Sequence, residues 1–323
     1  PGMKGISLFL LPRYLDDGST NQYHIVRLKD KMGTRSMASG EIRMDGAVAY
    51  LVGEQGRGFV QIADMVNNSR LSNGMRSAGM MRRAVAEAEY IARERWAFGK
   101  QLQDMPLMKV QLDKLRVPAE QARTMVFQTA ATLARSDAGD KQAYALLRIL
   151  TPMIKFRACR DARKVTGDAM EVRGGCGYIE EWADPRLVRD AHLGSIWEGT
   201  SNIVALDVKR AIKREGSLPV LQEYLHGLLA DTQGITAAYR QALTDALAGA
   251  VQLAERAVDE HGEKLVRQAA TALYNCTTAI AMAWEASKTG SSERMRLSRL
   301  VLAHRVLPRD PMAESAVPAD WLA

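Results

Sequence analysis

Three long stripes of apolar residues at helical spacing occupy the middle of this chain, and they restrict it to a fold built on helix packing. Met80, Met81, Ala84, Val85, Ala88, Ile91 and Ala92 form the first, with Gly99 as its predicted stop. Met108, Leu112, Leu115, Ala119, Ala122, Val126, Ala130 and Leu133 form the second; Pro118 lies inside it and is expected to kink or interrupt the helix. Ile154, Ala158, Ala162, Val165, Ala169 and Val172 form the third, with Thr151-Pro152 as its N-cap and first turn. A further helix is expected from near Thr200 toward Lys213. Long helices with short connections bury such stripes by packing antiparallel.

The flanks read differently. Ile6–Leu11, Tyr23–Leu28 and Glu41–Met44 have strand character, and Asp45-Gly46 is a strong hairpin dipeptide. Three such strands do not make a stable sheet alone, so residues 1–53 are expected to be the C-terminal part of a β domain whose beginning is absent. From about Gly216, stripes such as Leu243, Leu247, Val251 and Ala254, then Leu265, Ala269, Leu273 and Ile280, predict an additional helical domain to residue 310. Residues 311–323, rich in proline, read as a tail. The helical bundle itself is assigned to residues 54–212.

No apolar run reaches the roughly 18 residues of a membrane span. Cys159, Cys176 and Cys276 are widely separated and odd in number, which excludes a disulfide framework; no Cys/His cluster has metal-ligand spacing. A reducing, cytoplasmic setting is expected. The net charge of +7 favours anionic partners such as CoA esters, flavin pyrophosphate or nucleic acid.

Three segments could carry chemistry. In Arg95-Trp96-Ala97-Phe98-Gly99, Arg95 is either a cation ending a helix or a bidentate phosphate ligand. Gly174-Gly175-Cys176-Gly177-Tyr178 either ends a helix or lets the backbone approach a ring or pyrophosphate closely. In Ile196-Trp197-Glu198-Gly199-Thr200-Ser201-Asn202, Thr200 or Ser201 can cap the next helix. Glu198 there is either a solvated surface carboxylate or a general base beside a large aromatic. His192 has no triad or metal partner at useful spacing and reads as structural.

In order and separation, these segments resemble the acyl-CoA dehydrogenase superfamily over about residues 1–212. The resemblance rests on Gly33-Thr34-Arg35-Ser36, Arg95-x-x-Phe98-Gly99, Gly174-Gly175-x-Gly177-Tyr178, Arg189-Asp190 and Ile196-x-Glu198-Gly199-Thr200. It is closest to the alkylation-response (AidB-type) branch, through Met80-Met81-Arg82-Arg83-Ala84, Ala169-Met170-Glu171-Val172 and Leu206-Asp207-Val208. That branch carries an extra C-terminal helical domain.

The resemblance implies a mainly α protein: an antiparallel bundle preceded by a partial β domain and followed by the additional helices. It implies FAD as cofactor, held by Arg95, Phe98, Gly174, Gly175, Ile196, Gly199, Thr200 and Asn202. Arg95 and Phe98 would reach flavin across a subunit interface in a homotetramer. Glu198 would remove the α proton of an acyl-CoA thioester while the β hydrogen leaves as hydride to flavin N5, with Arg70 and Gly199 on the substrate side. Electrons would pass to an electron-transferring flavoprotein or another acceptor.

Some family members place the base immediately before the residue matched by Arg70; here that position is Ser69. Glu171 stands where many dehydrogenases have glutamine, and Asn67 replaces an acidic residue used by some on the CoA side.

The alternative implied by the closest branch is a DNA-associated protective flavoprotein with low dehydrogenase turnover. Residues 213–323 hold 12 Lys/Arg against 13 Asp/Glu, so the extension as a whole is not basic. Lys288, Arg294, Arg296, Arg299, Arg305 and Arg309 nevertheless cluster, and could form a phosphate-contacting face for duplex DNA or a solvated helix. A third role for the extension is oligomer contacts alone.

Overall fold

Four short strands begin the chain: β1 (Leu8–Leu10), β2 (Tyr23–Leu28), β3 (Gly40–Met44) and β4 (Tyr50–Val52). The computed structural model describes residue 2, residues 5–313 and residues 315–322. By internal contacts the chain divides into Pro1–Ser69 and Arg70–Ala323.

Within the first unit, β2 pairs antiparallel with β3, and β1 with β4. The hairpin expected at Asp45-Gly46 therefore does not form, because β4 pairs with β1 and not with β3. Gly46, at φ 77°, still makes the bend between the two ladders. Asn21 ties this unit together. Its buried amide donates to Pro12 O and Val48 O, both at 2.8 Å, and accepts from Val48 N at 2.9 Å.

The helices follow as α1 (Gly58–Glu94), α2 (Pro106–Asp137), α3 (Lys141–Arg173), α4 (Ala183–Leu193) and α5 (Ser201–Glu215). Next come α6 (Ser217–Ala230), α7 (Ala237–Val258), α8 (Val266–Thr289) and α9 (Ser292–Val301). Several boundaries differ from those predicted. α1 ends at Glu94, five residues before Gly99, because β5 (Trp96–Ala97) and β6 (Lys100–Gln101) form a small ladder with Phe98 and Gly99 at its turn. Pro118 does not interrupt α2: the lost backbone donor is one of many, and the ring is buried in the bundle. Thr151-Pro152 lies inside α3, whose cap is Asp140, accepting from Ala143 N at 3.0 Å.

α2 and α3 are joined by three residues and pack along their length, which makes them antiparallel neighbours. Leu115, Met125, Ile149, Leu150, Met153 and Ile154 are fully buried, and one apolar core runs from them to Leu221, Leu247, Leu273 and Ile280. The core is thus continuous past residue 213, since α8 packs against α2, α3, α5 and α6 as well as α7 and α9. Gln121 on α2 is buried and donates to Asn275 Oδ1 at 3.1 Å and Thr278 Oγ1 at 2.7 Å on α8, while accepting from Arg305 at 2.6 Å.

The segment read as a tail, of which residues 314 and 323 lie outside the described residues, is not wholly loose. Trp321 is 4% exposed and lies 5.1 Å, centroid to centroid, from the buried ring of Tyr239 on α7. Trp321→Ala is expected to lower stability by about 3 kcal/mol in urea unfolding. An unchanged midpoint would show that the chain end is not part of the core.

Candidate functional site

Glu198 occupies the turn between α4 and α5, and its backbone is unusual. It adopts φ 56°, and Gly199 follows at φ 100°. A non-glycine residue in this region costs roughly 1 kcal/mol or more, so surrounding contacts must hold it there. Those contacts are to carbonyl oxygens. Lys155 on α3, 2% exposed, donates from Nζ to Gly194 O at 2.5 Å and Gly199 O at 3.2 Å. Arg70 on α1, 9% exposed, donates from Nε to Glu198 O at 3.1 Å.

Each cation is itself placed by its surroundings. Arg70 Nη1 pairs with Asp207 Oδ2 on α5 at 2.6 Å, and the same carboxylate meets Arg210 at 3.0 Å and Arg148 at 3.6 Å. Arg148 continues to Glu215 at 2.9 Å. Burial is the main force on Lys155 and pushes its ammonium below the usual lysine range; nearby Arg70 pushes the same way, while Cys159 and the Glu198 carboxylate oppose it. Gly194 is a glycine for reasons of space: a Cβ there would lie 3.1 Å from Cys159 Sγ and 3.2 Å from Ser77 Oγ. That close approach brings its carbonyl to Lys155.

Arg70, expected on the substrate side, bonds to Asp207 and to the backbone of Glu198. Its guanidinium positions the turn. Lys155 and Asp207 had no predicted role. The signal for Lys155 was present as one lysine in the otherwise apolar run Pro152-Met153-Ile154-Lys155-Phe156.

A second cluster forms where α3 ends. Arg95 donates from Nη1 to Arg173 O at 3.2 Å. Gly174 adopts φ 70°, and a Cβ on it would lie 2.9 Å from the same guanidinium nitrogen. Arg173 is buried against Asp184 at 2.8 Å and Glu87 at 2.6 Å, with its guanidinium 4.5 Å from the ring centre of Trp182. Gly175 has open space at its Cβ position. The structure thus sets Arg95 beside Gly174 and bonds Arg70 to Glu198, while Lys155 separately holds Gly199.

Phe98 touches neither cluster. It stands at the β5–β6 turn at φ 52° and is 97% exposed. Ile196 is also exposed, at 60%. Thr200 takes the N-cap position of α5, but its side chain does not cap, so the first amides of that helix lack the side-chain acceptor expected from sequence. Asn202 accepts from Arg267 at 3.3 Å, and Ser201 Oγ from Arg160 at 3.2 Å. His192 Nδ1 lies 2.8 Å from Val188 O within α4, a structural contact.

Among the described residues no group of three His, Cys, Asp or Glu is arranged to hold a metal, and no helix is long and apolar enough to cross a membrane. All three cysteines are unpaired; burial pushes the Cys276 thiol up to about 12, which makes it inert.

Residues 56–213 match the acyl-CoA dehydrogenase C-terminal domain. Acyl-CoA dehydrogenase family member 11 of Caenorhabditis elegans is 36% identical over 236 residues, which is 72% of this chain and 38% of that protein. The AidB protein of Escherichia coli strain K12 is 38% identical over 214 residues, 66% of this chain and 39% of that one. The chain therefore spans under two fifths of the length of these two relatives. The C. elegans structure of ACDH-11 in complex with C11-CoA superposes with a TM-score of 0.87 at 29% identity, covering 95% of this chain and 55% of that one.

The clamp on the Glu198 turn is open to test. Lys155→Met removes the donor to two carbonyls, and is expected to raise amide hydrogen exchange over residues 195–200 by at least about tenfold while α8 stays protected. Unchanged exchange in that segment would show that Lys155 does not hold the turn.

Proposed function

Since this chain belongs to the acyl-CoA dehydrogenase family through residues 56–213, we propose that it is the flavin-side portion of an FAD-dependent acyl-CoA dehydrogenase in which Glu198 is the catalytic base. The observation that carries this reading is the left-handed backbone at Glu198, held by buried Lys155 and Arg70. A strained, over-determined backbone at one carboxylate is the arrangement expected of a group that must point in one direction during reaction.

The residues present fit a flavin nucleotide. Gly174 leaves room for Arg95 where any side chain would crowd it, Gly175 faces open space, and the amides opening α5 lack a side-chain cap. Arg95 would hold pyrophosphate, and the α5 N-terminus would favour its negative charge. The exposed Phe98 would pack on the cofactor of a neighbouring subunit, which supports a homo-oligomer such as a tetramer. FAD, when bound, supplies the hydride acceptor for the β hydrogen of the substrate. This chain supplies the rest: Glu198 takes the α proton, Gly199 lets the backbone turn beside it, and Lys155 and Arg70 fix the carboxylate's origin. The partner that would accept the electrons is an electron-transferring flavoprotein or another acceptor. A cytoplasmic setting suits three free thiols.

The DNA-associated reading draws less support from the basic stretch near the C-terminus. Lys288 pairs with Asp231 at 2.6 Å, Arg294 with Glu120 and with Glu285, Arg296 with Asp113 at 2.8 Å, and Arg305 with Asp161 at 2.9 Å. Arginines already committed to carboxylates gain little from phosphate. Burial keeps Arg294 from solvent as well.

The decisive measurement is anaerobic loss of the flavin's visible absorbance when acyl-CoA is added to the FAD-loaded protein. Glu198→Gln is expected to slow it by at least about 100-fold, the usual contribution of a general base. Equal rates in both proteins would remove Glu198 from the chemistry.

A further inference from the structure

A cleft of about 680 Å³ lies between α3, α7, α8 and the segment after α9. Its floor is apolar, made by Phe156, Ala250, Leu253 and Ala272, and Phe156 and Ala250 are buried there. Its wall carries four arginines, Arg157, Arg160, Arg267 and Arg305, against one acid, Asp245.

The four are not equivalent. Arg157 and Arg305 share the buried carboxylate of Asp161, at 2.5 and 2.9 Å. Arg160 and Arg267 instead reach only neutral oxygens on adjacent residues, Ser201 Oγ at 3.2 Å and Asn202 Oδ1 at 3.3 Å. Burial first, and then the neighbouring Arg267, push Arg160 below the usual arginine range. Two guanidinium groups that repel one another at the edge of a half-enclosed apolar cleft lower their energy by sharing an anion, and their planar forks suit carboxylate or phosphate oxygens. The volume falls in the range of small-molecule sites.

We propose that this cleft binds an anionic amphiphile, with a carboxylate or phosphate head held between Arg160 and Arg267 and a short apolar tail on the Phe156–Leu253 floor. The cleft shares no lining residue with the Glu198 turn. It does adjoin the start of α5, where the FAD pyrophosphate is proposed, because Arg160 and Arg267 bond to Ser201 and Asn202, so displacement by ADP is the outcome that separates the two sites.

Calorimetric titration of the full chain with octanoate, octyl phosphate and octanol tests it. Saturable one-to-one binding is expected for at least one of the two anions, at least tenfold tighter than for octanol, and the tighter anion identifies the head group. The double variant Arg160→Gln/Arg267→Gln should weaken binding at least tenfold. Gly249 supplies a variant that fills the cleft without crowding the fold: it lies in the middle of α7, and a Cβ there meets nothing within 4 Å. Gly249→Leu should abolish binding with an unchanged or raised melting temperature. Octanol binding as tightly as the anions, unweakened binding in the double variant, or no saturable binding at all would overturn the proposal. So would displacement of the bound anion by ADP, which would make the cleft part of the nucleotide site.

Discussion

Two buried cations donating to three backbone carbonyls fix the turn that the candidate site depends on. Lys155 joins the ends of the segment from Gly194 to Gly199, and Arg70 holds the carbonyl of Glu198 between them. A buried carbonyl left without a donor costs about 1–3 kcal/mol, which matches or exceeds the strain of a left-handed glutamate. The hydrogen bonds therefore decide the backbone. Burying a lysine is costly in its own right, and the two carbonyl acceptors and the nearby Glu198 carboxylate offset that cost.

This clamp requires the bundle to be rigid, because its parts come from α1, α3 and α5. Arg70, Lys155 and Asp207 are brought together only when those helices pack in one register. The added helices extend the same solid body. Gln121 links α2 to α8 and to Arg305, and Arg294 on α9 reaches Glu120 on α2 and Glu285 on α8. These contacts bind Arg294 and Arg305 into the packing between helices. In the cleft beside α7, by contrast, Arg160 and Arg267 bond to the neutral oxygens of Ser201 and Asn202.

Much of this was legible in the residues. The stripes at Met81, Leu115 and Ile154 identified the bundle because helical periodicity is a local property, and the glycines at 174 and 199 marked backbone that no other residue adopts easily. Glu198 was visible as a candidate only through the ordered motifs around it. Boundaries were less secure. Thr151-Pro152 looks like a helix start, yet tertiary burial carries α3 straight through it, and Asp45-Gly46 looks like a hairpin, yet β4 finds its partner in β1.

The sequence by itself determined helix class, the location of the turn, and the residue types that could act there, because these follow from spacing and from the conformational limits of glycine and proline. Only the tertiary structure decided what the charges do. Whether an arginine or lysine is a ligand, a clamp or part of an ion pair depends on which groups lie within about 3 Å of it across the fold. Arg70 and Asp207 are 137 residues apart in the chain and 2.6 Å apart in space, and no local pattern encodes that distance.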